Sequence, residues 1–221
     1  MNNTGTNRGF YELGGKRLLD FCSAAFGLIF LTPFFLLIAV LSKLISSGPV
    51  FYQQERVGKS GHNFRIVKFR TMQVDADKRG PSITTGGDPR ITSIGRILRA
   101  LKFDELPQLW NVFKGDMSLV GPRPEVPLYV QSYTKEQKKI LDVRPGITDS
   151  SSLAYRHEEE LLSAQANPEA YYREVVLPHK LALSAEYIRN ISLRNDFVLL
   201  AKTLFVLSFN RPRYTPSVVN R

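Results

Sequence analysis

The sequence predicts a mostly helical α/β protein with a small β-hairpin, attached to a membrane by one apolar segment near its N-terminus. Three observations support this fold class. About 22 uncharged residues lie between Asp20 and Lys43. Two β-rich segments flank the turn sequence Gly58-Lys59-Ser60-Gly61. Most of the remaining chain shows helical spacing of apolar residues.

The apolar segment is long enough for a membrane, because as a straight helix it would extend roughly 33 Å. It lies inside the chain, exceeds a typical signal-peptide core and has no small-residue cleavage site before Lys43. We therefore expect the mature protein to retain it. A buried helical hairpin of a soluble protein is the less favoured alternative.

A break is predicted at Thr32-Pro33, since proline removes a backbone donor and disfavours helical geometry in the residue before it. Each half would then be about ten residues and suit one leaflet. Basic residues flank both ends, which slightly disfavours a straight span. From the residues alone, a straight span and a re-entrant helix-break-helix remain equally open.

The segments 49–57 and 63–72 predict the hairpin. Thr92 or Ser93 would cap a short basic amphipathic helix ending near Lys102, which suits a membrane interface. A second helix is expected from Asp104 to Gly115. Later helices are predicted at 125–141, 158–166, 168–189 with an interruption near Pro178, and 197–209, the last an amphipathic packing or interfacial helix.

The chain is divided by these elements into four parts. They are an N-terminal tail at 1–15, the apolar membrane helix at 16–47, the main folded domain at 48–210 and a flexible C-terminal tail at 211–221.

A net charge of +10 and a pI near 9.8 require an anionic partner. Anionic lipids and diphosphate substrates meet this need, whereas no zinc-finger, basic-zipper or RNA-binding signature supports nucleic acid. The single cysteine, Cys22, excludes an intramolecular disulfide and a thiolate metal cage. The three histidines lack metal-ligand spacing, and there is no Walker or dinucleotide loop.

Two motifs carry candidate chemistry. Asp104-Glu105 has a purely structural explanation as a helix N-cap, but a helix N-terminus also attracts phosphate toward the carboxylates it presents. Gly121-Pro122-Arg123-Pro124 fixes the backbone around one guanidinium, which can bind phosphate oxygens bidentately. Lys68, Arg70 and Arg99 are further candidates for binding substrate phosphate, although each alone is more often a surface residue.

These motifs together resemble the monotopic phosphoglycosyl transferases, the bacterial sugar transferase family, in the same order over residues 16–203. The matching segments are Lys16-Arg17-Leu18-Leu19-Asp20, the broken apolar helix, and the runs 68–72, 104–112, 114–124 and 144–148. Thr32-Pro33 stands where the family often has Ser-Pro. The run 149–156 departs from the family's usual Gly-Trp-Ala-Gln-Val-Asn-Gly-Arg, which leaves the donor sugar open.

The resemblance implies that the membrane helix at 16–47 is re-entrant and that residues 48–210 form a cytosolic interfacial catalytic domain. The protein would lie on the cytoplasmic face of the bacterial inner membrane, with both termini cytosolic. It also implies transfer of a sugar-1-phosphate from a UDP-sugar to undecaprenyl phosphate, with Mg²⁺ and release of UMP, at the start of surface glycan assembly. Membrane lipids would be further partners. A homodimer is compatible with these motifs but not implied by them.

Carried onto this chain, the resemblance makes Asp104 the nucleophile and the source of an aspartyl-phosphosugar intermediate. Glu105 would assist the second step or orient the metal, which one or both carboxylates would hold. Arg123, Arg99, Lys68 and Arg70 would bind substrate phosphates. A transferase that moves only the sugar and releases UDP, and a non-catalytic lipid-binding scaffold of a glycan assembly complex, are the alternatives.

Overall fold

A mostly helical architecture with two small β-pairs confirms the coarse fold class. The computed structural model describes residues 11–76, 84–85 and 87–208. Its main elements in chain order are α1 Lys16–Ile45, β1 Phe51–Val57, β2 Asn63–Phe69, α2 Ser93–Ala100, α3 Gln108–Lys114, β3 Ser118–Val120, α4 Pro127–Val130, β4 Gly146–Thr148, α5 Ser150–Ala154, α6 Glu158–Ser163, α7 Pro168–Tyr171, α8 Leu177–Arg189 and α9 Leu193–Ser208.

Helix α1 is long and apolar enough to cross a membrane and contains Pro33 without interruption. The predicted division into two helices at Thr32-Pro33 is therefore wrong for the helix itself. Proline removes one donor, and the surrounding helical hydrogen bonds persist across it. Thr32 Oγ1 also donates to the Leu28 carbonyl oxygen at 2.7 Å, which adds a local bond at this turn.

One face of α1 lies on the rest of the protein and the other is exposed. Ala24 packs with Ile66, Val112 and Met117 near the first half of the helix. Ile38 packs in a second cluster near the other half, together with Phe69, Ile94 and Leu98. The opposite face exposes large apolar side chains, namely Leu18, Leu19, Phe26, Ile29, Phe30, Leu36, Leu37, Val40, Leu41, Leu44 and Ile45.

The predicted hairpin is confirmed: β1 and β2 are antiparallel, with Phe51 opposite Phe69 and Val57 opposite Asn63. The other edge of β2 is covered by the side chain of Asn111 from α3. Its Oδ1 accepts from the Val67 N–H at 2.9 Å, and its Nδ2 donates to the Arg65 carbonyl oxygen at 2.8 Å. One amide thus fixes α3 against the sheet edge.

The predicted start of the second helix is wrong. Asp104 lies in a 3₁₀ turn, Phe103–Glu105, and α3 begins only at Gln108. Its predicted end is confirmed, because Gly115 adopts a left-handed conformation with φ 97°. The Thr92 cap of α2 is also confirmed, since Thr92 Oγ1 accepts from the Gly95 N–H at 3.0 Å.

A parallel pairing of β3 with β4 was not predicted. Ser118 lies opposite Gly146, and Val120 lies opposite Thr148. Gly121 and Gly146 approach so closely that a Cβ on Gly146 would lie 2.1 Å from the Gly121 nitrogen. A side chain at either glycine would therefore clash with the backbone at the point where the Gly121-Pro122-Arg123-Pro124 motif begins.

The C-terminal half builds the largest apolar core, which includes Val57, Tyr155, Leu162, Val176 and Leu181. Most of its helices match the prediction, and a π-helical turn, Tyr172–Val176, precedes α8 near the expected interruption. The predicted helix at 125–141 is shorter: only Pro127–Val130 is α-helical, and Gln137–Asp142 is 3₁₀.

The predicted tails lie largely outside the described residues. The first, at 1–15, is described only from Tyr11, where a π-helical turn leads into α1. The second, at 211–221, is not described.

Candidate active site

Asp104 is buried in the turn between α2 and α3, with 8% of its surface exposed. Its Oδ1 has no hydrogen-bond partner within the described part of the chain. A helix cap would engage this oxygen with a backbone N–H, so the structural explanation of Asp104 fails. A buried carboxylate with an open oxygen is expensive to maintain and indicates a site that receives a ligand.

The neighbouring carboxylate, Glu105, is fully engaged. Arg123 Nη1 donates to Oε2 at 3.0 Å and Nη2 donates to Oε1 at 2.5 Å. Lys68 Nζ from β2 donates to the same Oε1 at 3.3 Å. Asp104 directly precedes this cluster of one carboxylate and two cations. The structure therefore brings together four predicted site residues, namely Lys68, Asp104, Glu105 and Arg123.

The electrostatics of the two adjacent carboxyls are opposite. Burial raises the pKa of Asp104, and the negative charge of Glu105 raises it further. Burial also acts to raise the pKa of Glu105, but the charges of Arg123 and Lys68 outweigh it and hold that pKa well below its usual range. The pKa of Lys68 is lowered by burial, although Glu105 opposes the shift.

Arg123 is positioned by the β3–β4 pair and by Asp149, which sequence reasoning did not identify as a site residue. Asp149 is fully buried and accepts from Ser151 Oγ at 2.8 Å and from the Ser152 N–H at 2.7 Å. Its Oδ2 also accepts from the Arg123 N–H at 3.4 Å. The available signal in the sequence was the position of Asp149 directly after Pro-Gly-Ile-Thr. It begins the run 149–156, which departs from the usual family sequence.

Two predicted phosphate-binding residues lie outside this cluster. Arg99 Nε donates to Thr71 Oγ1, and its Nη1 donates to Glu159 Oε1, both at 2.9 Å. Arg99 is close enough for its charge to lower the pKa of Asp104 against the stronger effect of burial. It therefore lies at the edge of the site.

Arg70 donates its hydrogen bonds to a segment outside this cluster. Its Nε donates to the Pro49 carbonyl oxygen at 2.6 Å, and its Nη2 donates to the Ser46 carbonyl oxygen at 3.2 Å. These bonds fix the segment that follows the carboxyl end of α1. None of its hydrogen bonds within the described chain reaches Asp104, Glu105 or Arg123.

A family model described as bacterial sugar transferase matches residues 11–210. The chain belongs to the bacterial sugar transferase family. This confirms the resemblance drawn from the motifs. Within the family, the chain is 34% identical over 219 residues to the exopolysaccharide production protein ExoY of Sinorhizobium fredii, an alignment that covers 91% of this chain and 90% of that protein.

Two further family relatives are named for an activity. One is the UDP-N-acetylgalactosamine-undecaprenyl-phosphate N-acetylgalactosaminephosphotransferase of Aeromonas hydrophila, 37% identical over 192 residues, with 86% of this chain and 42% of that protein covered. The other is the UDP-glucose:undecaprenyl-phosphate glucose-1-phosphate transferase of Caulobacter vibrioides, 36% identical over 195 residues, with 86% and 68% covered. The chain thus spans less than half the length of the Aeromonas relative.

The carboxylates can be tested as a metal site for this family member. Within the described residues, no group of three or more His, Cys, Asp or Glu side chains is arranged to hold a metal ion. Mg²⁺ is often bound by only one or two carboxylates, completed by substrate phosphates and water. The open Oδ1 of Asp104 fits that pattern, whereas both oxygens of Glu105 already accept from Arg123.

Proposed function

We propose that this protein is a phosphoglycosyl transferase that moves a sugar-1-phosphate from a UDP-sugar to undecaprenyl phosphate and releases UMP. This reaction would start the assembly of a surface glycan. The observation that carries the proposal is the buried Oδ1 of Asp104, which has no hydrogen-bond partner among the described residues and lies directly before the Glu105–Arg123–Lys68 cluster. The activities for which the Aeromonas and Caulobacter relatives are named support the reaction class, and these activities differ in the sugar.

In the first step, an oxygen of the Asp104 carboxylate attacks the β-phosphorus of the UDP-sugar. A bond forms between that oxygen and phosphorus, and the bond from phosphorus to the bridging oxygen breaks. UMP leaves with the bonding electrons, and the phosphosugar remains on Asp104 as an acyl phosphate. Arg123 and Lys68 stabilise the negative charge that develops on the phosphate oxygens.

In the second step, a phosphate oxygen of undecaprenyl phosphate attacks the same phosphorus. The bond from phosphorus to the Asp104 oxygen breaks, and the carboxylate is regenerated with its electron pair. The product is the polyprenyl diphosphate-sugar. Glu105 holds Arg123 and Lys68 in place through both steps, because both of its oxygens are engaged with these cations.

We propose that Asp104 contributes the protein ligand to Mg²⁺ and that Glu105 orients the site through its cations. When bound, Mg²⁺ neutralises diphosphate charge and assists departure of the UMP leaving group. Burial and the charge of Glu105 raise the pKa of Asp104. Binding of a cation such as Mg²⁺ would stabilise its charged form.

We also propose that α1 is re-entrant as one continuous helix that bends at Pro33, with both termini in the cytosol at the cytoplasmic face of the bacterial inner membrane. Arg17, near one end of α1, donates to the carbonyl oxygens of Val112 at 2.6 Å and Phe113 at 2.8 Å. Arg70 binds Ser46 just past the other end. One domain thus contacts both ends of a helix about 45 Å long, which a straight bilayer crossing would prevent.

The test of the reaction uses the full chain with Mg²⁺, undecaprenyl phosphate and a panel of UDP-sugars, with UMP as the measured product. Mass spectrometry of the trapped protein should locate a phosphosugar on Asp104, and Asp104→Asn should abolish UMP release. Asp142→Asn is the matched control, because Asp142 is an exposed carboxylate outside the Asp104–Glu105 cluster. UDP in place of UMP would indicate a sugar-only transferase, and no nucleotide release from any donor would support the scaffold alternative.

The topology is tested by placing single cysteines near each terminus in a Cys22→Ser background and labelling intact cells and inverted vesicles. Both positions should react only in inverted vesicles. Labelling of one terminus from outside the cell would overturn the re-entrant arrangement without affecting the assignment of the reaction.

A further inference from the structure

Most cations around Asp104 are already engaged with protein groups. Lys68 and Arg123 bind Glu105, and Arg99 binds Thr71 and Glu159. Lys102 differs from them: it is exposed and has no hydrogen-bonded or ion-paired side-chain partner among the residues that the structure describes. It is therefore available for an anionic ligand.

The backbone at Lys102 is unusual. It adopts a left-handed conformation with φ 58° and ψ 20°, which side-chain-bearing residues rarely occupy. Its N–H donates to the Arg99 carbonyl oxygen at 3.1 Å, and its own carbonyl oxygen accepts from the Glu105 N–H at 3.3 Å. Lys102 thus ends α2 and begins the turn that carries Asp104, at a position where glycine would carry the least strain.

The charge of Lys102 reaches the reaction centre. Burial raises the pKa of Asp104, and Lys102 is one of the cations that act against this effect. It likewise contributes, after Arg123 and Lys68, to the lowered pKa of Glu105. An anion on the Lys102 ammonium would therefore lie near the carboxylate that we propose as the nucleophile.

The surroundings of Lys102 on the other side are apolar and exposed. Leu101 is 44% exposed and Ile97 is 61% exposed on the outer face of α2. The inner face of α2 packs on the membrane helix, where Ile94 and Leu98 share a cluster with Ile38. Lys102, whose ammonium has no partner within the described ranges, thus lies in the chain between the exposed apolar residues Ile97 and Leu101 and the buried carboxylate of Asp104.

We propose that Lys102 binds the phosphate of the lipid acceptor, with Ile97 and Leu101 in contact with its hydrocarbon chain. The inference rests on the proposed function and adds the residue that recognises the second substrate. A soluble sugar diphosphate has no hydrocarbon to cover Ile97 and Leu101, so the apolar surface favours the lipid phosphate over the donor. The lysine would orient the attacking phosphate toward the phosphorus carried by Asp104.

The test compares Lys102→Ala with Lys135→Ala, an exposed lysine between α4 and β4, in the full chain in detergent micelles of fixed composition. Lys102→Ala should raise the KM for undecaprenyl phosphate about tenfold or more and leave the KM for the UDP-sugar within about twofold. Lys102→Arg should restore most of the acceptor affinity, and Lys135→Ala should change neither constant.

Lys102→Gly distinguishes the loss of the ammonium group from a loss of stability. It should reproduce the acceptor defect and should not lower Tm, because glycine relieves the left-handed strain. A rise in the donor KM alone would assign Lys102 to the UDP-sugar instead, and unchanged constants in Lys102→Ala would overturn the proposal. Either result with active wild-type protein leaves the proposed reaction intact, whereas absence of UMP from wild type overturns both.

Discussion

Arg123 donates to both carboxylate oxygens of Glu105, so the residue next to the proposed nucleophile has no oxygen free of a cation. Asp104 and Glu105 are adjacent in sequence but have different environments. Asp104 Oδ1 has no hydrogen-bond partner in the part of the chain that the structure describes, whereas one oxygen of Glu105 also accepts from Lys68. Glu105 therefore acts on Asp104 through its charge and through the cations it positions.

Glu105→Gln should move the acid limb of the pH–rate profile for UMP release to lower pH. Attack requires ionised Asp104, whose pKa is raised by burial and then by the negative charge of Glu105. Removing that charge lowers the pKa of Asp104, while the loss of the partner of Arg123 should reduce the maximal rate about 100-fold. An unchanged acid limb would show that another group titrates.

Asp104→Asn should abolish the proposed UMP release and stabilise the protein. The pKa of Asp104 is raised in the folded state, so its ionised form opposes folding above that pKa and has no such effect below pH 3.8, the ordinary value. We expect Tm at pH 7 to rise by about 2–4 °C, and the difference from wild type to shrink as the pH falls toward 4.

Substitution of Glu105, the residue next to Asp104, should change Tm in the opposite direction. Glu105 has a lowered pKa, so it contributes stability that is present at pH 7 and is lost as the pH falls through its folded pKa. Glu105→Gln should therefore lower Tm at pH 7. If both variants changed Tm in the same direction, the contrast in their environments would be wrong.

Arg123→Lys should reduce the rate of UMP release about 100-fold or more, because lysine cannot donate the two parallel hydrogen bonds that Glu105 accepts. The matched control is Arg173→Lys, which alters an exposed pair with Glu169 and should leave the rate unchanged. A rate near wild type in Arg123→Lys would remove this guanidinium from the site.

Asp149→Asn should weaken the support of Arg123 without removing a group that contacts substrate. Asp149 accepts hydrogen bonds from Ser151, Ser152 and the Arg123 N–H, and one amide nitrogen of asparagine would face these donors. We expect a loss of about tenfold in kcat with little change in KM for either substrate. A change confined to Tm would make Asp149 purely structural.

Gly95→Ala should destabilise the protein strongly. A Cβ at Gly95 would lie 2.0 Å from the Thr71 carbonyl oxygen, so α2 would have to move away from the segment that follows β2. We expect a loss of roughly 2 kcal/mol or more in the free energy of unfolding. Gly14→Ala, where a Cβ meets no atom within 4 Å, is the control and should be close to neutral.

Local signals predicted the elements that depend on neighbouring residues. The hairpin follows from β-rich segments around a glycine turn, and the start of α2 follows from Thr92 as a cap. The motifs also identified Lys68, Asp104, Glu105 and Arg123, which the fold brings together. Their grouping came from the family resemblance, because no spacing rule places β2 beside the segment after β3.

Features that depend on distant contacts were not predictable from the sequence. Three-residue strands such as β3 and β4 have no readable period, and their pairing needs the close approach of Gly121 to Gly146. Arg70 follows Lys68 by two residues and shares its motif, yet its guanidinium binds the segment after α1. Asp104 resembled a helix cap because the 3₁₀ turn before α3 has no distinct sequence signal.

The order in which the chain is synthesised matters for Asp20, which lies on the packed face of α1. Asp20 is buried on that face, where it accepts from Ser118 Oγ at 2.7 Å and from the Leu119 N–H at 3.0 Å, partners almost a hundred residues later in the chain. The ribosome releases α1 long before those partners exist, so early entry into lipid would place a carboxylate there without a donor. We therefore expect the final position of α1 at the membrane to depend on folding of the segment that contains Ser118 and Leu119.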